Sequence, residues 1–133
     1  MTVTFCGHSQ ITNQKDVEEW LSDTLNSLLY LGATTFYLGG YVSFDILCAT
    51  ILRQKKYHPN IKLILVLPYL NTHKDLSLYD STIYLPLESV PARYAIPHRN
   101  NWMIDHSDIV VAYVEHDWGC AASTLHYAQK NIE

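Results

Sequence analysis

Glycines and small hydroxylic residues recur in this sequence where main-chain amides could hold an anion. Gly7-His8-Ser9, Gly39-Gly40 with Ser43, and Trp118-Gly119 through Ser123 and Thr124 each follow a short apolar run and precede a helix-compatible stretch. A turn of this kind places unpaired N–H groups and the positive end of the new helix beside a phosphate or carboxylate, and small residues let the main chain approach closely. Arg99 adds a guanidinium suited to bidentate phosphate binding, which lysine does less well. Gly7, His8, Gly39, Gly40, Ser43, Arg99, Gly119, Ser123 and Thr124 are therefore the candidate ligand-binding residues. Phosphate and ribose are the groups they suit, and Tyr69 and Trp118 are candidates to stack a base.

Each candidate also has a plainer role. Gly39-Gly40 can be a tight strand-to-helix turn, Ser43 an N-cap, Gly119 with Ser123 and Thr124 a close helix–sheet contact, His8 a turn residue, and Arg99 a solvated surface side chain. None of the turns matches G-x-G-x-x-G or the P-loop, so a standard dinucleotide fold or phosphoryl-transfer ATPase is not supported. His98 and His106 are too far apart for a same-face pair and no H-E-x-x-H occurs, so no metal site and no cofactor is expected. Cys6 and Cys120 have no obvious base neighbour and read as packing residues rather than nucleophiles. Asp105 and Asp108 could act as acids or bases, but Asp108 better suits a role in holding the main chain at the start of a strand.

The elements that must position these residues alternate. Thr2 to Cys6 reads as a strand, and Val17, Trp20, Leu21, Leu25, Leu28 and Leu29 as one face of a helix with Asn13 at its N-cap and Gly32 at C′. Thr35 to Leu38 is a second strand. A helix follows from a Ser43 cap, with Asp45 in its first turn and Phe44, Leu47, Cys48, Ile51 and Leu52 on one side, ending near His58-Pro59. Lys62 to Leu67 is a third strand, stopped by Pro68. Tyr69 to Asp80 reads as a long loop with a short helical turn, and Thr82 to Leu85 as a brief fourth strand. Pro91 and Pro97 frame an irregular or helical piece, followed by a helix over His98 to His106. Ile109 to Val114 has the β-branched content of a strand buried on both faces, and a closing helix turns Leu125 and Ala128 toward the sheet. Such alternation implies an α/β fold, a Rossmann-like three-layer parallel sheet flanked by helices, with the three turns on its carboxyl edge. No further strand follows the closing helix, which leaves either an uncovered sheet edge or a shortened chain.

The 133 residues fit a single domain spanning 1–133. A formal charge of −4 without a Lys/Arg cluster argues against nucleic acid, though a nucleotide needs only local positive potential. Three scattered cysteines favour a reducing compartment, and no apolar run approaches a membrane span, so a cytoplasmic protein is expected.

Thr4-Phe5-Cys6-Gly7-His8-Ser9, Gly39-Gly40-Tyr41-Val42-Ser43-Phe44-Asp45, Leu65-Val66-Leu67-Pro68-Tyr69 and Arg99-Asn100-Asn101-Trp102-Met103-Ile104-Asp105-His106-Ser107-Asp108 together resemble the YpsA-like branch of the SLOG superfamily. The Arg-Asn-x-Trp-Met-x-Asp-x-Ser-Asp block is the most specific part, and the likeness runs over nearly the whole chain. It implies a Rossmann-like sheet, a nucleotide or nucleotide-derived ligand at its carboxyl edge, and a homo-oligomer. The related lonely-guy phosphoribohydrolases cleave nucleoside monophosphates with an arginine and a glutamate near a Pro-Gly-Gly-x-Gly-Thr-x-x-Glu motif. Arg99 looks like the counterpart of that arginine, but Trp118 to His126 lacks both the proline and the helix glutamate. Three readings follow: a nucleotide-binding or nucleotide-sensing module; an N-glycoside hydrolase in which Asp105, Glu115 or Asp117 replaces the missing carboxylate; and a structural or protein-binding domain that has lost its ligand.

Overall fold

The computed structural model describes residues 1–40, 42–54, 60–68, 76–87 and 89–131. Five strands and four helices alternate as β1 (Thr2–Gly7), α1 (Gln14–Tyr30), β2 (Thr35–Leu38), α2 (Ser43–Gln54), β3 (Lys62–Leu67), β4 (Ser81–Tyr84), α3 (Ala92–Asp105), β5 (Ile109–Tyr113) and α4 (Cys120–Lys130). The strands form one parallel sheet in the order β4-β3-β2-β1-β5. From β1 the chain steps outward through β2, β3 and β4, then returns to lay β5 on the other side of β1. The reversal lies between β1 and β5, where Val3 pairs with Ile109 and Gly7 with Tyr113.

Side chains alternate across each strand, so the sheet presents one face to each of two sets of helices. Val3, Phe5, Phe36, Leu38 and Leu63 meet Val17, Leu21, Leu25, Phe44, Cys48 and Leu52 of α1 and α2 on one face. On the other face Tyr37 and Val66 meet Trp102 and Met103 of α3, with α4 packed beside α3 and against β1 and β5. Three layers result, as the alternating pattern predicts. No helix among the described residues is long and apolar enough to cross a membrane.

Local departures have physical causes. Asn13 holds the N-cap position of α1 in a left-handed conformation (φ 53°), and its side chain makes no capping bond. Gly32 ends the helix as expected: its N–H donates to Leu29 O and the Ala33 N–H to Leu28 O, the paired bonds of a Schellman stop. Trp20 is 41% exposed rather than in the core, its ring stacked on Phe44. At α2 the Ile46 N–H donates to Val42 O, so Val42 holds the cap position and Ser43 is the first helical residue instead. The described part of α2 ends at Gln54, and the proposed end near His58-Pro59 lies outside the described residues. Of the proposed loop, residues 69–75 also lie outside them, and 76–79 form a turn closed by the Tyr79 N–H on Leu76 O at 3.1 Å.

The largest correction is α3. It is one helix from Ala92 to Asp105 running through Pro97, although a proline inside a helix costs about 3 kcal/mol because it removes a donor and crowds the preceding turn. Burial of Ala95, Arg99, Met103 and Ile104 along one side offsets that cost.

Candidate functional site

All strands run the same way, so the turns after β1, β2 and β5 share the carboxyl edge of the sheet. In open α/β sheets the crevice for a ligand lies where strand order reverses, because the helices that follow the two strands leave toward opposite faces. Here a cleft of about 610 Å³ occupies that place, lined by Gly7, His8 and Thr12 from one side and Glu115, His116, Trp118 and Gly119 from the other. Ser9, Gln10, Val42 and the first residues of α4, Cys120 and Ala121, complete its wall. Among these residues there is no lysine or arginine, and Glu115 carries the one carboxylate.

The turn after β1 is built closely. A Cβ on Gly7 would lie 2.3 Å from Cδ2 of Phe44, so only glycine lets α2 seat its first aromatic against the strand end. His8 is buried, and its Nε2 accepts a hydrogen bond from the Glu115 main-chain N–H at 2.6 Å. Burial, and then the neighbouring His116, hold the His8 imidazole below its ordinary value, while the Glu115 carboxylate opposes them. The His8 ring stacks on His116 at 3.7 Å, and His116 stacks on Trp118 at 3.8 Å. The Thr12 hydroxyl donates to the Glu115 carboxylate at 3.0 and 3.3 Å, which orients that carboxylate at the mouth.

A second, smaller groove of about 450 Å³ lies between α3 and α4 and shares Gly119 and Cys120 with the cleft. Asn100, Ser123, Thr124, Tyr127 and Lys130 line it. Thr124 is buried: its hydroxyl donates to Cys120 O at 2.9 Å and accepts from the Asn100 amide at 3.4 Å. Gly119 is the N-cap of α4 with φ 92° and no side chain to cap the helix. The start of α4 therefore faces the junction of the two cavities, where its first amides are suited to an anionic group.

The structure separates the remaining candidates. Gly39 and Gly40 end β2, one strand away from the cleft, and are not part of either lining. Gly39 lies against the Arg99 guanidinium: a Cβ there would come within 2.7 Å of the guanidinium carbon and displace it. Arg99 is not a solvated surface residue but 2% exposed, its Nη1 donating to Gly39 O at 3.0 Å and Val66 O at 3.1 Å. Its Nε donates to the Asn100 side-chain oxygen at 2.8 Å. The guanidinium does reach the carboxyl edge, at the ends of β2 and β3, where Nη1 is engaged by two main-chain carbonyls. Ser43 is exposed and outside both linings.

Among the aromatic candidates Trp118 lies in the cleft wall with 69% of its surface exposed, whereas Tyr69 lies outside the described residues. Of the three carboxylates considered for hydrolysis, Glu115 alone lines the main cleft; Asp105 accepts the Tyr127 hydroxyl at 2.7 Å on the α3–α4 surface. Asp108 accepts the Thr2 N–H at 2.8 Å, the main-chain role expected of it. His116, Thr12 and Asn100 are the site residues that sequence reasoning overlooked. A sequence signal existed for His116, two residues before Trp118, but its relevance depends on β5 lying beside β1. Among the described residues no group of three His, Cys, Asp or Glu side chains is placed to hold a metal.

No protein-family model and no curated protein matches this sequence. Among solved structures, the X-ray structure of TM1055, a Northeast Structural Genomics Consortium target, superposes with a TM-score of 0.65 at 14% identity, over 96% of this chain and 67% of that one. At this identity the likeness is one of fold, which by itself assigns no activity. The chain is thus similar to TM1055 in its Rossmann-like α/β architecture.

Proposed function

We propose that this chain binds a nucleotide or nucleotide-derived small molecule in the cleft between the carboxyl ends of β1 and β5. One observation carries the reading: the cleft at the strand-order reversal contains an exposed stacking surface, Trp118, beside the uncapped start of α4, and opens onto a hydroxyl- and amide-lined groove. A base suits the first, an anionic group the second, and a sugar the Ser123, Thr124 and Asn100 side chains. The resemblance to the YpsA-like branch of the SLOG superfamily supports the same ligand class. It also favours a homo-oligomer, and with the three free cysteines it favours a cytoplasmic setting. Gly39, Gly40 and Arg99 then act from beneath the rim, and Ser43 from its periphery.

Thermal-shift screening with nucleoside mono-, di- and triphosphates, cyclic nucleotides and ADP-ribose-type compounds tests the proposal. A ligand at about a hundred times its Kd stabilises the folded state by about 2.7 kcal/mol. The expected result is a rise in Tm that Trp118→Ala and Ser123→Ala reduce without lowering the Tm of the free protein. Unchanged melting with every compound favours the reading in which the domain has kept its fold without a ligand.

A second reading, hydrolysis of an N-glycosidic bond, is favoured by one specific observation: the Glu115 carboxylate stands in the cleft beside His8, oriented by Thr12. A carboxylate there could stabilise positive charge developing at a sugar carbon or take a proton from water. Release of free base from nucleoside monophosphates that Glu115→Gln abolishes would establish it, and no turnover would leave binding alone.

A further inference from the structure

His8, His116 and Trp118 form one continuous column of rings. The first pair is 3.7 Å apart and 14° from parallel, the second 3.8 Å and 16°. The column runs from a buried residue at the end of β1 to an exposed indole in the cleft wall. Its inner end is tied by the bond from the Glu115 main-chain N–H to His8 Nε2 at 2.6 Å, while the His8 main-chain N–H donates to Tyr113 O at 3.3 Å. A ring nitrogen that accepts a hydrogen bond carries no proton, so His8 is neutral and protonated on Nδ1 while this bond stands.

We infer that this column is a proton-operated gate on the β1/β5 cleft: stacked while His8 is neutral, and released when a proton on His8 Nε2 turns it from acceptor to donor against the Glu115 N–H. Both groups are then donors, and the bond joining the segment after β5 to the end of β1 is lost. The segment carries His116 and Trp118, so its release moves the cleft wall.

The surroundings of His8 set when this happens. From β5 the Tyr113 ring meets it edge-on at 5.7 Å. From the following segment come Glu115 and His116, with Asp117 next in the chain. Thr12, before α1, faces the same cleft, as do Val42 before α2 and Cys120 and Ala121 of α4. The Glu115 carboxylate favours an imidazolium, but it already accepts the Thr12 hydroxyl at 3.0 Å. Burial and the His116 imidazole oppose protonation more strongly, because two stacked cations so close repel one another. The gate therefore opens on the acid side of the ordinary histidine range. Only its consequence for ligand entry rests on the proposed function; the movement itself needs no ligand.

The test uses Trp20→Phe/Trp102→Phe, which leaves Trp118 as the one emitter among the three tryptophans. The expected result is a single step in Trp118 emission on acidification, with a midpoint below about 6.5, constant far-UV circular dichroism, and loss of the step in His8→Gln. A flat emission profile overturns the proposal. So does a step that survives in His8→Gln with its midpoint unmoved, since His116 alone would then report the proton, or one that coincides with loss of circular dichroism. Should the double variant not fold, nuclear magnetic resonance of the wild-type chain decides the matter: the His8 ring and the Glu115 amide must shift with one midpoint, and independent titration overturns the gate. Because the readout is taken without nucleotide, failure of the gate and failure of nucleotide binding are separate results.

Discussion

A guanidinium keeps its charge at any accessible pH, so a buried arginine survives only where its donors meet acceptors. Arg99 meets them at the carbonyls of Gly39 and Val66 and at Asn100, joining the ends of β2 and β3 beneath the rim of the site. The side chain that the sequence offers to a phosphate is thus also a strut. Arg99→Ala leaves two buried carbonyls without that donor and is expected to cost on the order of 2–5 kcal/mol. The measurement is a lower midpoint in urea at unchanged m value; an unchanged midpoint would show that the strut carries no stability. Ligand-binding tests are consequently better made at Trp118 and Ser123, which are exposed.

Among the elements, β4 is held to the sheet by more than its ladder. The Asp80 carboxylate accepts the Leu63 N–H at 2.8 Å and pairs with Arg53 at 2.8 Å, while the Arg53 Nε donates to Leu78 O at 2.7 Å. Burial works against the Asp80 charge, but the Leu63 N–H and the Arg53 guanidinium outweigh it and hold the carboxyl below its ordinary value. The last turn of α2 is thereby linked to the start of both edge-side strands. Both side chains are partly exposed, so water and salt weaken the ion pair and the main-chain bond is the stronger part. Asp80→Ala is expected to cost about 1–2 kcal/mol and to raise amide exchange in β4 more than in β1. Uniform exchange across the sheet would contradict this division.

For the whole molecule, stability should depend on pH with a plateau bounded by buried titrating groups. His8 is held below its ordinary 6.5, so the unfolded chain binds its proton more readily; the stability it contributes is full above that value and lost as pH falls through the folded value. The buried thiols act at the other end. Burial, with Asp45 adding to it, pushes Cys6 from 9.0 up to about 12 and raises Cys48 as well. Their contribution is full below 9.0 and lost as pH rises toward the folded values. The denaturation midpoint is expected to be flat between these limits and to fall on both sides, with His8→Gln flattening the acid limb. An acid limb unaltered by that substitution would assign it to the carboxylates instead.

The α/β alternation, the Gly32 stop of α1 and the three glycine turns at strand ends were legible in the amino-acid sequence, whereas β5 is an edge strand with only Val111 and Tyr113 buried, and Leu125 is not among the buried residues of α4. The legible features follow from local rules, a period of two or of three to four residues and the backbone that a turn demands. The sequence could not show α3 continuing through Pro97, because the helix persists through burial of its far side against other layers. Nor could it show that Arg99 is buried with its Nη1 on the carbonyls of Gly39 and Val66, or that His8, His116 and Trp118 stack. Those residues are distant in the chain or matter only because β5 returns beside β1, and strand order is decided by how whole elements pack, a property that no single stretch of residues encodes.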